Sequence, residues 1–277
     1  MKTWFITGAS RGLGFEVARA ALEAGDQVVA TARNIQQLKD TFKETGPRLL
    51  AVNLDVTESY SIQTAVDQAI LQYGRIDVLV NNAGYGQLGA FEENSIKAIE
   101  RQFATNLFGV FAVTRAILPI MRAQRSGHIV TTSSIAGIIG FDGASIYCAT
   151  KFALEGWSES LSIELARFGI NTTIIEPGYF RTDFLDQSSV SYGDIYVADY
   201  ATSSDEKKQA LNAMNHNQVG DPQKFGKAIV ELAASERPPI RIAAGSGAYA
   251  TVLNKAEALR TEAEAWHQWS VSTDITS

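Results

Sequence analysis

Short β-branched, apolar runs alternate along the chain with longer segments whose apolar residues recur at helical spacing. The runs are Trp4 to Thr7, Gln27 to Ala32, Leu49 to Asn53, Val78 to Val80, His128 to Thr132 and Thr172 to Ile175. Between them, Phe15 to Ala24, Ser59 to Tyr73, Ser95 to Arg122 and Ala149 to Phe168 have helical length and period, with Pro119 placed to end or bend the third. Runs that are apolar throughout, separated by helices, predict an α/β fold: a Rossmann-type, doubly wound parallel sheet of about seven strands with helices on both faces.

No repeat or low-complexity linker breaks this pattern, so residues 1–277 read as a single domain with two decorations. One is Asp183 to Gly220, polar and rich in Ser, Asp, Tyr and Asn, which reads as a mobile lid. Within it Tyr192, Tyr196 and Tyr200 recur every four residues, as would a helical stripe that closes over a ligand or packs the lid on the body. The other is a C-terminal extension at about 246–277. It is predicted helical over Asn254 to Trp269, with Leu253, Ala256, Leu259, Ala263, Trp266 and Trp269 set to cap the core or meet another subunit.

Composition narrows the function classes. With 45% apolar and 19% charged residues, the chain can bury a substantial core, which excludes disorder. Its 24 basic and 30 acidic residues leave a net charge of -6, which offers no general attraction for nucleic acid or an anionic membrane. Gly8 and Arg11 interrupt the N-terminal apolar run before a signal-peptide core forms, and no stretch reads as transmembrane in length, so no membrane insertion is expected. The single cysteine, Cys148, excludes an internal disulfide and fits a cytoplasmic setting. His128, His216 and His267 are scattered without ligand spacing, so no metal is expected.

The first chemical motif is Thr7-Gly8-Ala9-Ser10-Arg11-Gly12-Leu13-Gly14, directly after a strand and before a helix. In such a turn glycines let the main chain approach a pyrophosphate, and the helix start aims free N–H groups at it. Where NAD-binding folds place an acid to hold the ribose hydroxyls, this chain reads Ala32-Arg33. A small neutral residue beside a cation attracts the 2′-phosphate of NADP(H), and Arg11 in the glycine loop offers a second cation.

The second constellation is Ser134, Tyr147 and Lys151. Four residues apart on one helix, Tyr147 and Lys151 share a face one turn apart. A neighbouring ammonium favours the tyrosinate, but bringing a phenol to neutrality needs roughly 3 pH units, about 4 kcal/mol, more than one screened lysine supplies. Carbonyl reduction is less demanding, because the phenol need only donate its proton while Ser134 donates a second hydrogen bond.

With these pieces in order, the chain resembles the short-chain dehydrogenase/reductase family from Met1 to about Gly245. The likeness is carried by TGASRGLG at 7–14, LDVT at 54–57, NNAG at 81–84, Asn106 within TNLFGVF, Ser134 within IVTTSS, YCATK at 147–151 and PGYFRT at 177–182. The resemblance implies that Asp55 meets the adenine amino group, that Val56 lines its pocket, and that Asn82, Ala83 and Gly84 run beside the adenosine ribose. It casts Lys151 as binder of the nicotinamide ribose and Asn106 as holder of a water that links Lys151 to solvent. Pro177 and Gly178 then turn beneath the nicotinamide, with Thr182 or the intervening backbone at its carboxamide. The extension and the EPGYFRTDF wording are similar to hydroxysteroid and retinol dehydrogenase-like enzymes and bacterial relatives. Pairing of the long helices in that family implies a homodimer or homotetramer.

Judged from their motif neighbours, Tyr85, Ile135, Ile138, Phe141, Tyr179, Phe180 and Phe184 face the carbonyl pocket. They favour a hydrophobic ketone or aldehyde as the small-molecule partner. Two alternatives stand beside this reading: a 3-ketoacyl reductase acting on carrier-bound chains, and a non-catalytic NADP-sensing regulator that needs no Ser134, Tyr147 and Lys151 set. A charged hydrogen bond of roughly 1.5–3 kcal/mol from Arg33 to a 2′-phosphate predicts about a 10- to 100-fold preference for NADPH over NADH. Comparing kcat/KM for the two cofactors checks this, and equal values reject it.

Overall fold

The computed structural model describes residues 1–42 and 46–275. In chain order its strands and helices are β1 (Thr3–Ile6), α1 (Gly12–Glu23), β2 (Gln27–Ala32), α2 (Ile35–Thr41), β3 (Leu49–Asn53), α3 (Ser59–Tyr73), β4 (Val78–Asn81), β5 (Gly86–Leu88), α4 (Ile96–Phe103) and α5 (Gly109–Gln124). There follow β6 (Gly127–Thr132), α6 (Ser145–Ala166), β7 (Ile170–Pro177), β8 (Val190–Tyr192), α7 (Ala201–Met214), α8 (Pro222–Ala234), β9 (Arg241–Ala244), α9 (Ser246–Ala265) and α10 (His267–Val271).

Among the described residues, seven parallel strands form one sheet in the order β3-β2-β1-β4-β6-β7-β9. Alternation along each strand divides the core between the two faces. Trp4, Ile6, Val28, Ala30, Val78, Val80 and Val130 pack on one side with Val17 and Ala21 of α1 and Phe225 and Ile229 of α8. Phe5, Val29, Leu79 and Ile129 pack on the other with Ile62 and Val66 of α3 and Val113, Ile117 and Met121 of α5. Both faces being covered, β1 to β4 are apolar at most positions, which is why those runs are legible in the sequence.

The chain leaves β1 toward β2 on one side and returns to β4 on the other. That reversal opens a crevice beyond the carboxyl ends of β1 and β4.

Several expectations need correction. The helix expected over Ser95 to Arg122 is divided by a π-turn at Ala104–Phe108, and Pro119 does not end it, because the exposed ring sits on the water side of α5. The composite helix Ile96–Gln124 has the length and hydropathy of a membrane span, contrary to the sequence reading, but Val113, Ile117 and Met121 along it pack into the core. Strand β9 was missed: it has four residues and follows Pro238-Pro239.

Tyr192, Tyr196 and Tyr200 form no stripe, because Tyr192 ends a strand, Tyr196 lies in a loop and Tyr200 caps α7. The lid is also tied down, β8 pairing in parallel with β5. The extension is helical, yet it does not cap this chain's core. Of α9 only Ala248 is buried, and Trp266 and Trp269 are each 65% exposed. Positions 276–277 of the extension lie outside the described residues.

Helices α1 and α8 meet at Gly226, where a Cβ would stand 2.3 Å from the Glu16 carbonyl oxygen. Gly226→Ala is expected to force the helices apart at a cost of about 2 kcal/mol, a fall of roughly 5 °C in Tm. Thermal denaturation followed by circular dichroism checks this; an unchanged Tm overturns it.

Candidate active site

A cavity of about 840 Å³ opens over the carboxyl ends of the central strands. At its first end the glycine loop is zipped to the end of β4. Thr7 Oγ1 accepts from the backbone N–H groups of Asn82 (2.9 Å) and Ala83 (3.0 Å), and Asn82 Nδ2 donates to the Thr7 and Gly8 carbonyls, both at 3.1 Å. Gly8 and Gly12 adopt φ of +68° and +60°, and no side chain caps the start of α1, so its N–H groups stay open to an anion. Gly8, Ser10, Arg11, Gly12 and Leu13 line the cavity.

Gly14 does not line the cavity. A Cβ there would lie 2.4 Å from Asn82 Nδ2 and 2.5 Å from the Gly8 oxygen, so this glycine is required for packing the helix on the loop.

Farther along the same wall stand Arg33, Asp55, Val56, Asn82, Ala83 and Gly84. The Arg33 guanidinium is exposed and has no hydrogen-bond or ion-pair partner among the described residues, beside the small side chain of Ala32. Asp55 accepts from the backbone N–H (2.9 Å) and hydroxyl (2.7 Å) of Thr57, which orients its carboxylate. Arg11 is engaged differently from the sequence reading. Its guanidinium donates to Ser188 Oγ (2.6 Å), the Ser188 carbonyl (2.8 Å) and Ser189 Oγ (2.8 Å), joining the glycine loop to the lid segment.

Pro177, Gly178 and Thr182 form the opposite wall. The Gly178 N–H donates to the Ala244 carbonyl (3.0 Å), and Thr182 faces Gly12 across the gap. A glycine cradle and an open helix start together fit the pyrophosphate of a dinucleotide.

At the deep end, Tyr147 and Lys151 project from one face of α6. Lys151 Nζ donates to the Thr132 carbonyl (2.8 Å) and lies 5.6 Å from the centre of the Tyr147 ring. Ser134, just past β6, hydrogen-bonds Tyr147, and its hydroxyl oxygen accepts from the Ala136 N–H (3.1 Å). Burial lowers the Lys151 pKa to about 8, opposed by the charge of Glu155. Burial pushes the phenol well above its usual range, outweighing the Ser134 hydrogen bond, so Tyr147 keeps its proton at neutrality.

Asn106 sits in the π-turn, 1% exposed and off the cavity wall. Its Nδ2 donates to the Tyr85 carbonyl (2.8 Å) and its Oδ1 accepts the Tyr85 N–H (3.1 Å), so the side chain holds the backbone beyond β4.

Tyr85, Ile135, Phe141, Tyr179, Phe180 and Phe184 line the far end, with the Phe184 ring 6.0 Å from that of Tyr147. Phe180 also stacks edge-on against Phe225, 5.1 Å away, and so braces the wall to the core. Ile138 is not on the wall. The 3-10 turn Ile135–Gly137 closes with the Ile138 N–H on the Ile135 carbonyl (3.0 Å) and turns the chain away before Phe141 returns to the cavity.

Sequence reasoning missed α7 as a wall element. Lys207 pairs with Asp142 (2.7 Å), Ser204 donates to Glu93 (2.7 Å), Tyr200 donates to Glu92 (2.8 Å), and Lys208 lies over the Tyr192 ring at 4.9 Å. No residue of α7 is buried, so apolar periodicity had no signal to offer. At its end the fold brings His216 to Asp186 (3.2 Å) and near Asp183, three metal-ligand side chains at the surface that spacing did not anticipate.

Residues 2–192 match the family model described as short chain dehydrogenase. An oxidoreductase of Botryotinia fuckeliana, BOA17, is 38% identical over 275 residues, covering 98% of this chain and 99% of its own. The 3-ketodihydrosphingosine reductase of Bacteroides thetaiotaomicron is 39% identical over 240 residues (87% and 86%), and retinol dehydrogenase 8 of Bos taurus is 37% identical over 253 (87% and 80%). A solved short-chain dehydrogenase from Streptomyces avermitilis superposes with TM-score 0.90 at 39% identity, covering 99% of this chain and 100% of its own. A Burkholderia phymatum member in complex with NAD gives TM-score 0.83 at 26% identity (94% and 95%). A serine dehydrogenase complexed with NADP+ gives 0.74 at 26% (87% and 93%).

Combining Lys207→Ala with Ser204→Ala removes two of the side-chain ties of α7. Amide hydrogen exchange over 201–214 is expected to quicken roughly tenfold while the sheet is unaffected. Unchanged protection in α7 overturns the role of these two ties in holding the helix.

Proposed function

Because this chain belongs to the short-chain dehydrogenase/reductase family, we propose that it is an NADPH-dependent reductase of hydrophobic ketones or aldehydes with Tyr147 as proton donor. The observation that carries the reading is the enclosed phenol, kept protonated by burial beside Ser134 and the Lys151 ammonium. Bound NADPH supplies the hydride. As negative charge gathers on the carbonyl oxygen, Tyr147 gives up its proton there, Ser134 donates a second hydrogen bond, and Lys151 lowers the cost of the emerging tyrosinate.

Cofactor choice rests on this chain's own residues, since one solved neighbour holds NAD and another NADP+. Arg33, at the end of β2 next to Ala32 and without a hydrogen-bond or ion-pair partner among the described residues, supports NADPH. The aromatic wall supports an apolar substrate, and 3-ketodihydrosphingosine and retinol, named for two relatives, are lipids. A carrier-delivered chain has less support, because the mouth mixes Lys207 and Lys208 with Glu93, Asp142, Asp194 and Asp205 and so offers no basic patch. Exposed Ile96, Phe108, Phe152 and Ile163 on α4, the adjoining π-turn and α6 support a homo-oligomer built on those helices.

The test is a panel of hydrophobic ketones and aldehydes followed at the NADPH absorbance. Tyr147→Phe is expected to lose about 100- to 10,000-fold in kcat; retention of full rate overturns the assignment. Reduction by the native protein should slow as pH rises through about 8, because Lys151 loses the proton that makes it a cation. A kcat/KM profile that stays flat across that range overturns the role of the ammonium.

A further inference from the structure

Behind α6, outside the cavity wall, two carboxylates meet one guanidinium. Arg241 Nε lies 3.0 Å from Glu155 Oε2 and 2.8 Å from Glu176 Oε1. Nε carries a single N–H, and its geometry gives that hydrogen to Glu155. The other end of the guanidinium, Nη2, is 3.5 Å from the more exposed Glu159. Glu176 is 0% exposed, and neither of its oxygens receives an N–H or O–H hydrogen bond from elsewhere. An ionised Glu176 would hold a fully enclosed charge with no N–H or O–H donor on either oxygen, a costly state that one retained proton removes. Burial, with the neighbouring Glu155 charge, raises the Glu176 pKa to about 7, and the two side chains are within hydrogen-bonding reach.

Each member of this cluster is attached to a member of the site. Ser133, beside Glu155, adjoins Ser134; Glu155 lies one helical turn from Lys151; Glu176 adjoins Pro177; and the β9 strand that carries Arg241 accepts the Gly178 N–H at Ala244. Lys151 itself faces Tyr147 and Glu155 from α6 and the Thr132 carbonyl from β6.

We propose that Glu155 is a positioning residue whose single negative charge, fixed by a proton shared with Glu176, keeps Lys151 an ammonium in its buried place. The inference deepens the reductase reading and rests on Lys151 serving in that site, but its primary readout needs no turnover. Glu176 holds the proton and donates it toward Glu155, Arg241 offsets the charge that remains, and that charge faces Lys151 along α6.

The experiment follows the Lys151 titration by NMR in protein carrying isotope-labelled lysine, assigned with Lys151→Arg. Glu155→Gln removes the anion and is expected to lower the Lys151 midpoint by about one pH unit. Glu176→Gln leaves Glu155 ionised and is expected to lower the midpoint less than Glu155→Gln does. Glu155→Asp keeps the charge and retains most of the native value, and it stands in should Glu155→Gln fail to fold. Near neutral pH, infrared spectra of the native protein should contain a protonated-carboxyl band that Glu176→Gln lacks.

For ketone reduction, the alkaline limb of kcat/KM should move to lower pH in Glu155→Gln, and further than in Glu176→Gln. A purely structural role would reduce the rate without moving that limb. An unmoved Lys151 midpoint in Glu155→Gln, or no carboxyl band in the native protein, overturns the proposal. Absence of turnover with every ketone overturns only the reductase reading, since the titration and the infrared band are read without substrate.

Discussion

Everything at this site depends on parallel pairing of β1, β4, β6 and β7. Parallel strands end at the same edge, and each of these delivers a segment that strand geometry alone cannot hold: the glycine loop, Asn82 to Gly84, Ser134, and Pro177 to Gly178. The register matters more than the strands' intrinsic preferences, because it brings Thr7 opposite Asn82 and Ala83 so that one hydroxyl oxygen accepts both N–H groups. A slip of one residue would swap every side chain to the opposite packed face and part these loops from one another.

On that edge the chemistry is governed by desolvation. Lys151 is 7% exposed, and the enclosure that lowers its pKa also raises that of Tyr147. The two shifts have opposite sign because burial disfavours whichever form is charged. They converge on a protonated phenol beside an ammonium that is easily discharged. The carboxylates behind α6 answer the same constraint from the other side, with Arg241 partly exposed and Glu176 fully enclosed.

The far end of the cavity obeys weaker forces. Helix α7 buries no residue and is tied by polar contacts that reach the surface, so its position is held by a few exchangeable pairs. Arg11 adds a link between the glycine loop and Ser188 and Ser189, which places a cofactor-facing residue in contact with the lid. The extension is looser still: Leu253, Leu259, Trp266 and Trp269 remain half-exposed or more.

By itself the sequence determined the doubly wound sheet, the glycine loop, and the pairing of Tyr147 with Lys151. Those features follow from local rules: strands buried on both faces are continuously apolar, and residues four apart on a helix share a face. Only the tertiary structure decided that Gly14 serves packing, that Asn106 grips Tyr85, that Ile138 leaves the wall, and that α7 supplies Lys207 and Ser204. The short edge strand β9, which brings Arg241 to Glu155 and Glu176, was equally hidden. Such outcomes turn on which distant atoms become neighbours and how much water they lose, and neither quantity is periodic along a chain.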